Sequence, residues 1–364
     1  ESYPIPPIVP WIEVVHHRLR AEISRGCGCG CRFCDAGFIY RPVRERTPES
    51  IMKEMKENYT KTGWEEMSVV SLSSTEYSAI IQLLEQMHDF GKNKHIKFSF
   101  PSLNIDRFGT GALDVLGMSR KSGLTFAPEA GTERLRTVIN KSLDEEKLFY
   151  TMEEAFKHKW RKLKLYFMVG LPTETDEDIE GIVQMLSRAG NIAKKYNANI
   201  RVTISPFVPK PHTPFQWERQ CDVDEILQKE MMILKNAPKR VEVSIREPKL
   251  SVLEGALSRG DRRFGKAILR AWQMGAIYAS WNEFKNMELF IDALEQESID
   301  IHECCRERDI DESLPWSVID KGIDIKFLQM ERERAYAQKI TQPCRTRRCE
   351  KCKYCCLLYT SDAA

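Results

Sequence analysis

The chain has 364 residues, 42% hydrophobic and 30% charged, and its 55 Lys and Arg against 53 Asp and Glu leave a net charge of +2. That size and balance describe a soluble globular protein with one large α/β domain and appendages, and they exclude a disordered chain. No global field favours nucleic acid, no apolar run nears the ~18 residues of a membrane span, and no signal peptide is recognisable, so a cytoplasmic protein is expected.

In chain order, Pro4, Pro6, Pro7 and Pro10 make residues 1–11 a linker from an upstream region. Residues 18–24 alternate apolar and polar as a strand does, and the run GCGCGCRFC follows directly. Thr47 suits an N-cap and Pro48 a first helical position, with Ile51, Met55 and Tyr59 along one face. Residues 67–72 form a second strand, followed by the polar loop SSTE and a helix carrying Ile80, Ile81, Leu84 and Met87 to Gly91. Further strands are predicted at 97–100, 123–127, 163–169 and 200–205. Strands alternating with helices call for a parallel sheet with right-handed crossovers, and six such units give a partial barrel. In such barrels the site lies at the carboxyl ends of the strands. Five loops collect there: the cysteine loop, SSTE, APEAGTE, GLPTET and PFVPKPHTPF. Each alone is ordinary turn chemistry. Behind a metal loop at the first strand, together they line one site.

Twelve cysteines, most of them in two short clusters, point to metal binding in a reducing compartment rather than to disulfides. The first cluster has the spacing Cys27-x3-Cys31-x2-Cys34. Thiolates select soft partners, and three of them on a four-iron cubane leave one iron open, the mark of a catalytic centre. The competing reading is zinc, because Cys29 supplies a fourth thiol. Cys29 stands outside the triplet, and its role is open.

The triplet, with Phe33 just before its last cysteine, resembles the signature of radical S-adenosylmethionine (SAM) enzymes. The likeness covers residues 18–217, and the string RPVRERTPES narrows it. It resembles a radical SAM family whose full-length members carry an upstream cobalamin-binding domain and a downstream radical-SAM-linked domain, running here to about Cys355. The resemblance implies a partial (β/α)6 TIM-like barrel over 12–236, a mostly helical extension over 237–340 and a cysteine-rich tail over 341–356. Residues 357–364 resemble translated adapter sequence.

The same resemblance implies that Cys27, Cys31 and Cys34 hold a 4Fe-4S cluster whose open iron SAM chelates. One electron then cleaves the sulfonium bond to give a 5′-deoxyadenosyl radical, so a reductant such as flavodoxin or ferredoxin is implied. Ser73, Ser74 and Glu76 match the loop touching the SAM amino group, although SSTE departs from the common Gly-Gly-Glu form. Glu129 matches a position meeting the SAM ribose or amino group; the alternative is a surface carboxylate capping the helix at Thr132. Gly170 and Pro172 match a turn that lets backbone approach adenine, and Phe207 an adenine wall, although a lone aromatic after a strand also suits a core. The resemblance names no substrate; RNA or another anionic molecule is a candidate.

The second cluster, Cys344-x4-Cys349-x2-Cys352-x2-Cys355, lies among arginines and lysines that lower thiolate pKa, so a second metal is expected, iron–sulfur or zinc. An auxiliary cluster near the barrel mouth would favour a methylthiotransferase-like enzyme acting on RNA; zinc throughout would make the chain a non-catalytic binding module. Gly260-x4-Gly265-Lys266 imitates a phosphate loop, but Ala267 replaces the magnesium-binding hydroxyl and no strand precedes it. Arg259, Arg262 and Arg263 suit a solvated face. Cys221, Cys304 and Cys305 are expected as free thiols, and His16 and His17 belong to no motif. No D-x-H-x-x-G cobalamin motif occurs, so a corrinoid would come from an upstream domain.

Overall fold

The computed structural model describes residues 6–14, 17–92, 94, 96–99, 124–278 and 286–344. The expectations for His16, Cys349, Cys352 and Cys355 lie outside these residues.

The first part of the chain contains β1 (Leu19–Glu22), β2 (Ser24–Arg25), α1 (Ala36–Ile39), β3 (Arg44–Glu45), α2 (Pro48–Thr62), β4 (Glu66–Val70), α3 (Ile80–Gly91) and β5 (Lys97–Ser99). Strands β1, β4 and β5 form a parallel sheet in that order, and β2 pairs antiparallel with β3. Next come β6 (Leu124–Glu129), α4 (Glu133–Val138), α5 (Glu145–Lys157), β7 (Lys162–Val169), α6 (Asp176–Lys195), β8 (Asn199–Pro206), α7 (Val223–Asn236) and β9 (Val241–Ile245). Strands β6 to β9 form a second parallel run in sequence order. The helical extension contains α8 (Pro248–Arg259), α9 (Phe264–Gln273), α10 (Met287–Gln296), α11 (Ile301–Cys305) and α12 (Ile325–Tyr336).

Local chemistry explains the elements. Thr47 Oγ1 accepts from Ser50 N–H, Pro48 opens α2, and Gly63 ends it in the left-handed region at φ 67°. Ile51 and Met55 are buried as their spacing requires, whereas Ile81 of α3 faces solvent. In β7 and β8, Leu163, Leu165, Phe167, Ile200, Val202 and Ile204 are buried with Ile179, Ile182 and Leu186 of α6. The alternate residues Lys164, Tyr166, Met168, Thr203 and Ser205 are exposed or half-buried on the opposite face. The sheet runs one strand past the expected limit at residue 236, because β9 registers Val241 on Ile200 through Ile245 on Ile204. That five-residue strand lies between Pro238 and Pro248, too short for its alternation to stand out.

Two satellite clusters fasten the extension to the strand ends. Phe38 of α1 packs with Trp217, Leu314, Trp316, Phe327 and Leu328. Ala335 of α12 packs with Leu135, Val138, Ile139, Leu171, Phe207 and Phe215.

Candidate cluster site at the strand ends

The cysteine loop leaves β2 through Gly26, at φ 88°, where a Cβ would strike the carbonyl oxygens of Tyr40 and Pro42. A turn from Cys34 N–H to the Cys31 carbonyl (3.1 Å) closes its far end, and Asp35 caps α1 immediately afterwards. Cys27, Cys29, Cys31 and Cys34 are all free thiols and partly exposed. A hydrogen bond from Cys29 outweighs burial and holds the Cys27 thiol down to about 6, while the same bond, with burial, pushes Cys29 up. Burial pushes Cys31 up to about 12 and raises Cys34, with Lys141 opposing both.

Lys141, absent from the sequence reading, is a cation of the site, as is Arg41, whose charge bears on Cys27. The Lys141 ammonium lies 3.6 Å from Glu129 Oε1. Burial would lower it, but the charges of Cys31, Glu129, Cys29 and Cys34 outweigh burial and hold it protonated. Glu129 stands at φ 69°, where the pairing of β6 with β7 shifts register, and burial raises its carboxyl against the pull of Lys141. The capping alternative for Glu129 fails: Thr132 caps α4 itself, accepting from Leu135 N–H at 3.2 Å, while Glu129 turns to Lys141. Nothing in a sequence of loop residues foretells that long-range pair.

The SSTE loop reaches the same centre. Ser74 is buried and shares a 2.7 Å hydrogen bond with Ser71, and the charge of Glu76 opposes the lowering of Cys27 and adds to the raising of Cys29. Ser73 begins the single 3-10 turn there. At the β7 turn, Gly170 has φ 79°, and its missing Cβ faces Cys221 rather than an open surface. The close approach this glycine permits is therefore of protein to protein. Glu174, also unforeseen, accepts from Gly170 N–H (2.8 Å) and pairs with Lys229 (2.9 Å), and Pro172 is buried beside them. Phe207 is 2% exposed and meets Phe215 edge-on, centroids 5.9 Å apart, so it belongs to the core cluster rather than to an open wall.

The decoys resolve. Gly260 ends α8 where a Cβ would collide with the Phe264 ring, so packing explains it without a phosphate. Arg262 and Arg263 are exposed, but Arg259 is not on a solvated face. It is fully buried and donates to the Arg306 carbonyl (2.9 Å), with burial and the charge of Arg308 holding it down to about 10. Cys221, Cys304 and Cys305 are free, and His17 stacks on Trp64.

The donor set fits a cubane. Among the described residues no group of three or more His, Cys, Asp or Glu side chains is gathered as one metal ion requires. A cubane places each thiolate on a different iron, which suits three thiols spread along a loop beside an ammonium that offsets their charge.

The class of protein follows from these features and from comparison. Residues 21–186 match the profile of the Radical SAM superfamily and form a radical SAM domain. An uncharacterised protein of Methanocaldococcus jannaschii is 32% identical over 249 residues, 68% of this chain and 53% of that protein. A tRNA-2-methylthio-N(6)-dimethylallyladenosine synthase of Petrotoga mobilis is 20% identical over 71% of this chain and 61% of its own length. The chain therefore spans somewhat over half the length of these relatives. Among solved structures, the radical SAM methyltransferase TsrM of Kitasatospora setae, with cobalamin and a [4Fe-4S] cluster bound, shares the fold. Its TM-score is 0.50 at 13% identity, over 77% of this chain and 61% of that one. No helix among the described residues is long and apolar enough to cross a membrane.

Proposed function

We propose that the chain is the catalytic core of an enzyme that reductively cleaves SAM, with Cys27, Cys31 and Cys34 as the ligands of its 4Fe-4S cluster. The observation that carries this reading is the free thiol triplet on one loop after β2, with the ammonium of Lys141 bearing on Cys31 and Cys34. When bound, the cluster and SAM supply one-electron cleavage of the sulfonium bond and a radical that abstracts hydrogen. The protein's share is to hold and shield. Lys141 offsets the thiolate charge, Glu76 and Ser74 shape the rim beside Cys27, and Glu129 keeps Lys141 in place. Gly170 and Pro172 act through the fixed β7 turn, and Phe207 acts as its apolar backing.

The core over 12–236 continues through β9, with the extension over 237–340, the tail over 341–356 and a non-native end over 357–364. A second metal, iron–sulfur or zinc, belongs to Cys344, Cys349, Cys352 and Cys355. The Cys344 N–H donates to the Gly28 carbonyl at 3.0 Å, so the first cysteine of the tail lies beside the cysteine loop. An external electron donor such as flavodoxin or ferredoxin completes the system, and any cobalamin comes from another domain. The substrate class stays at RNA or another anionic molecule. Methylthiotransferase names among distant relatives do not favour that reaction here.

Anaerobic reconstitution tests the reading. Iron and sulfide at about four each per core site, with 5′-deoxyadenosine formed on reduction with SAM, is the expected result. Stoichiometric zinc without sulfide overturns it.

A further inference from the structure

The cysteine loop is held from outside itself. Arg32, between Cys31 and Phe33, is fully buried, and its guanidinium is divided between two distant segments. Nη1 donates to the carbonyls of Thr137 (3.1 Å) and Val138 (2.8 Å) at the end of α4. Nη2 donates to the Lys339 carbonyl (2.7 Å) and Thr341 Oγ1 (3.3 Å), and Nε pairs with Glu331 of α12 at 3.2 Å. Asn140 repeats the pattern. Its Nδ2 donates to the carbonyls of Cys29 (3.2 Å) and Gly30 (3.0 Å), while its Oδ1 accepts from Thr341 N–H (2.8 Å). Thr341 Oγ1 also donates to Glu331, and Cys344 N–H bonds Gly28.

The carbonyls of Gly28, Cys29 and Gly30 and the guanidinium of Arg32 are thus bonded to residues 137–140, to Glu331 or to the segment 339–344. We infer that segment 339–344 is a strap that positions the cysteine loop, with Arg32, Asn140 and Thr341 as positioning residues for the thiols. The inference rests on the proposed role of that loop. It goes further by making the C-terminal extension part of the cluster site rather than an appendage. Main-chain carbonyls that would otherwise be buried without donors are fixed by side chains, and a loop so fixed presents its thiols in one arrangement.

The test uses this chain without metal, under reducing conditions. Asn140→Asp removes the donors to Cys29 and Gly30 but keeps the acceptor for Thr341; Thr341→Val removes the hydroxyl but keeps the shape. Iodoacetamide labelling is followed cysteine by cysteine by peptide mass. Each variant should label Cys27, Cys31 and Cys34 about tenfold faster, the scale of one lost hydrogen-bond link. The buried Cys304 and Cys305 should label at wild-type rates and serve as the internal control. After reconstitution the same variants should show an altered electron paramagnetic resonance response of the reduced cluster to SAM. Unchanged labelling of the triplet, or a rise shared equally by Cys304 and Cys305, overturns the strap. A selective rise in a chain whose wild type fails to cleave SAM supports the strap and overturns the proposed function instead.

Discussion

The cysteine loop, which leaves the short β2 just past parallel β1, and the turn after parallel β7 are both glycine-punctuated connections, yet they are held in different ways. The β7 turn is fixed from close by: Glu174 accepts from Gly170 and Leu171, four and three residues back, and Lys229 balances its charge. The cysteine loop is fixed by Asn140, Glu331, Lys339, Thr341 and Cys344, more than a hundred residues away. A turn that must keep only its own shape can rely on neighbours. A loop that must hold several thiols in one arrangement draws on rigid elements beyond it.

The largest expected effect falls on the thiols. Cys27→Ala, Cys31→Ala and Cys34→Ala should each abolish 5′-deoxyadenosine formation in the reconstituted protein, whereas Cys29→Ser should largely spare it. Equal loss in all four would remove the distinction between the triplet and Cys29.

Next comes stability. Arg32→Met strips buried Glu331 of one of its two cations, Arg334 remaining at 2.9 Å, and leaves the carbonyls of Thr137, Val138 and Lys339 without their donor; it should cost about 3–5 kcal/mol in urea unfolding. Glu174→Gln in the β7 turn should cost about 1–3 kcal/mol and leave iron uptake unchanged. If the two variants lose equal stability and equal iron, the contrast between remote and local support collapses.

The smallest effect is a pH dependence where the APEAGTE and GLPTET loops meet. Asp178 is buried, and although burial would raise its carboxyl, hydrogen bonds from Thr132, Thr175 and Arg134 outweigh that and lower it below the ordinary 3.8. A carboxyl lower in the folded than in the unfolded chain stabilises fully above the unfolded value, and that stability is lost as pH falls through the folded one. Asp178→Asn should therefore lower stability at neutral pH and flatten the acid limb below about pH 4. Identical acid limbs by thermal melting would separate the two loops energetically.

Much of the architecture was legible because it is local. Thr47 and Pro48 announce α2, alternation announces β1, and the Cys27, Cys31, Cys34 spacing announces a soft-metal loop. Each of those signals depends on residues a few positions apart, where backbone geometry alone fixes who faces whom. The rest depended on closure of the fold. Lys141 follows an ordinary helix end, Arg32 resembles any polar residue between cysteines, and Thr341 lies in a loop; no periodicity marks them. Arg259 was misjudged for the same reason, since its burial is decided by Arg306 and Arg308.

By itself the sequence determined which elements form and which atoms can bind a metal, because propensity, capping and donor type are properties of short segments. Tertiary structure alone decided which charges are buried together and what holds the cysteine loop. Desolvation and hydrogen bonding between distant segments exist only once those segments have been brought into contact.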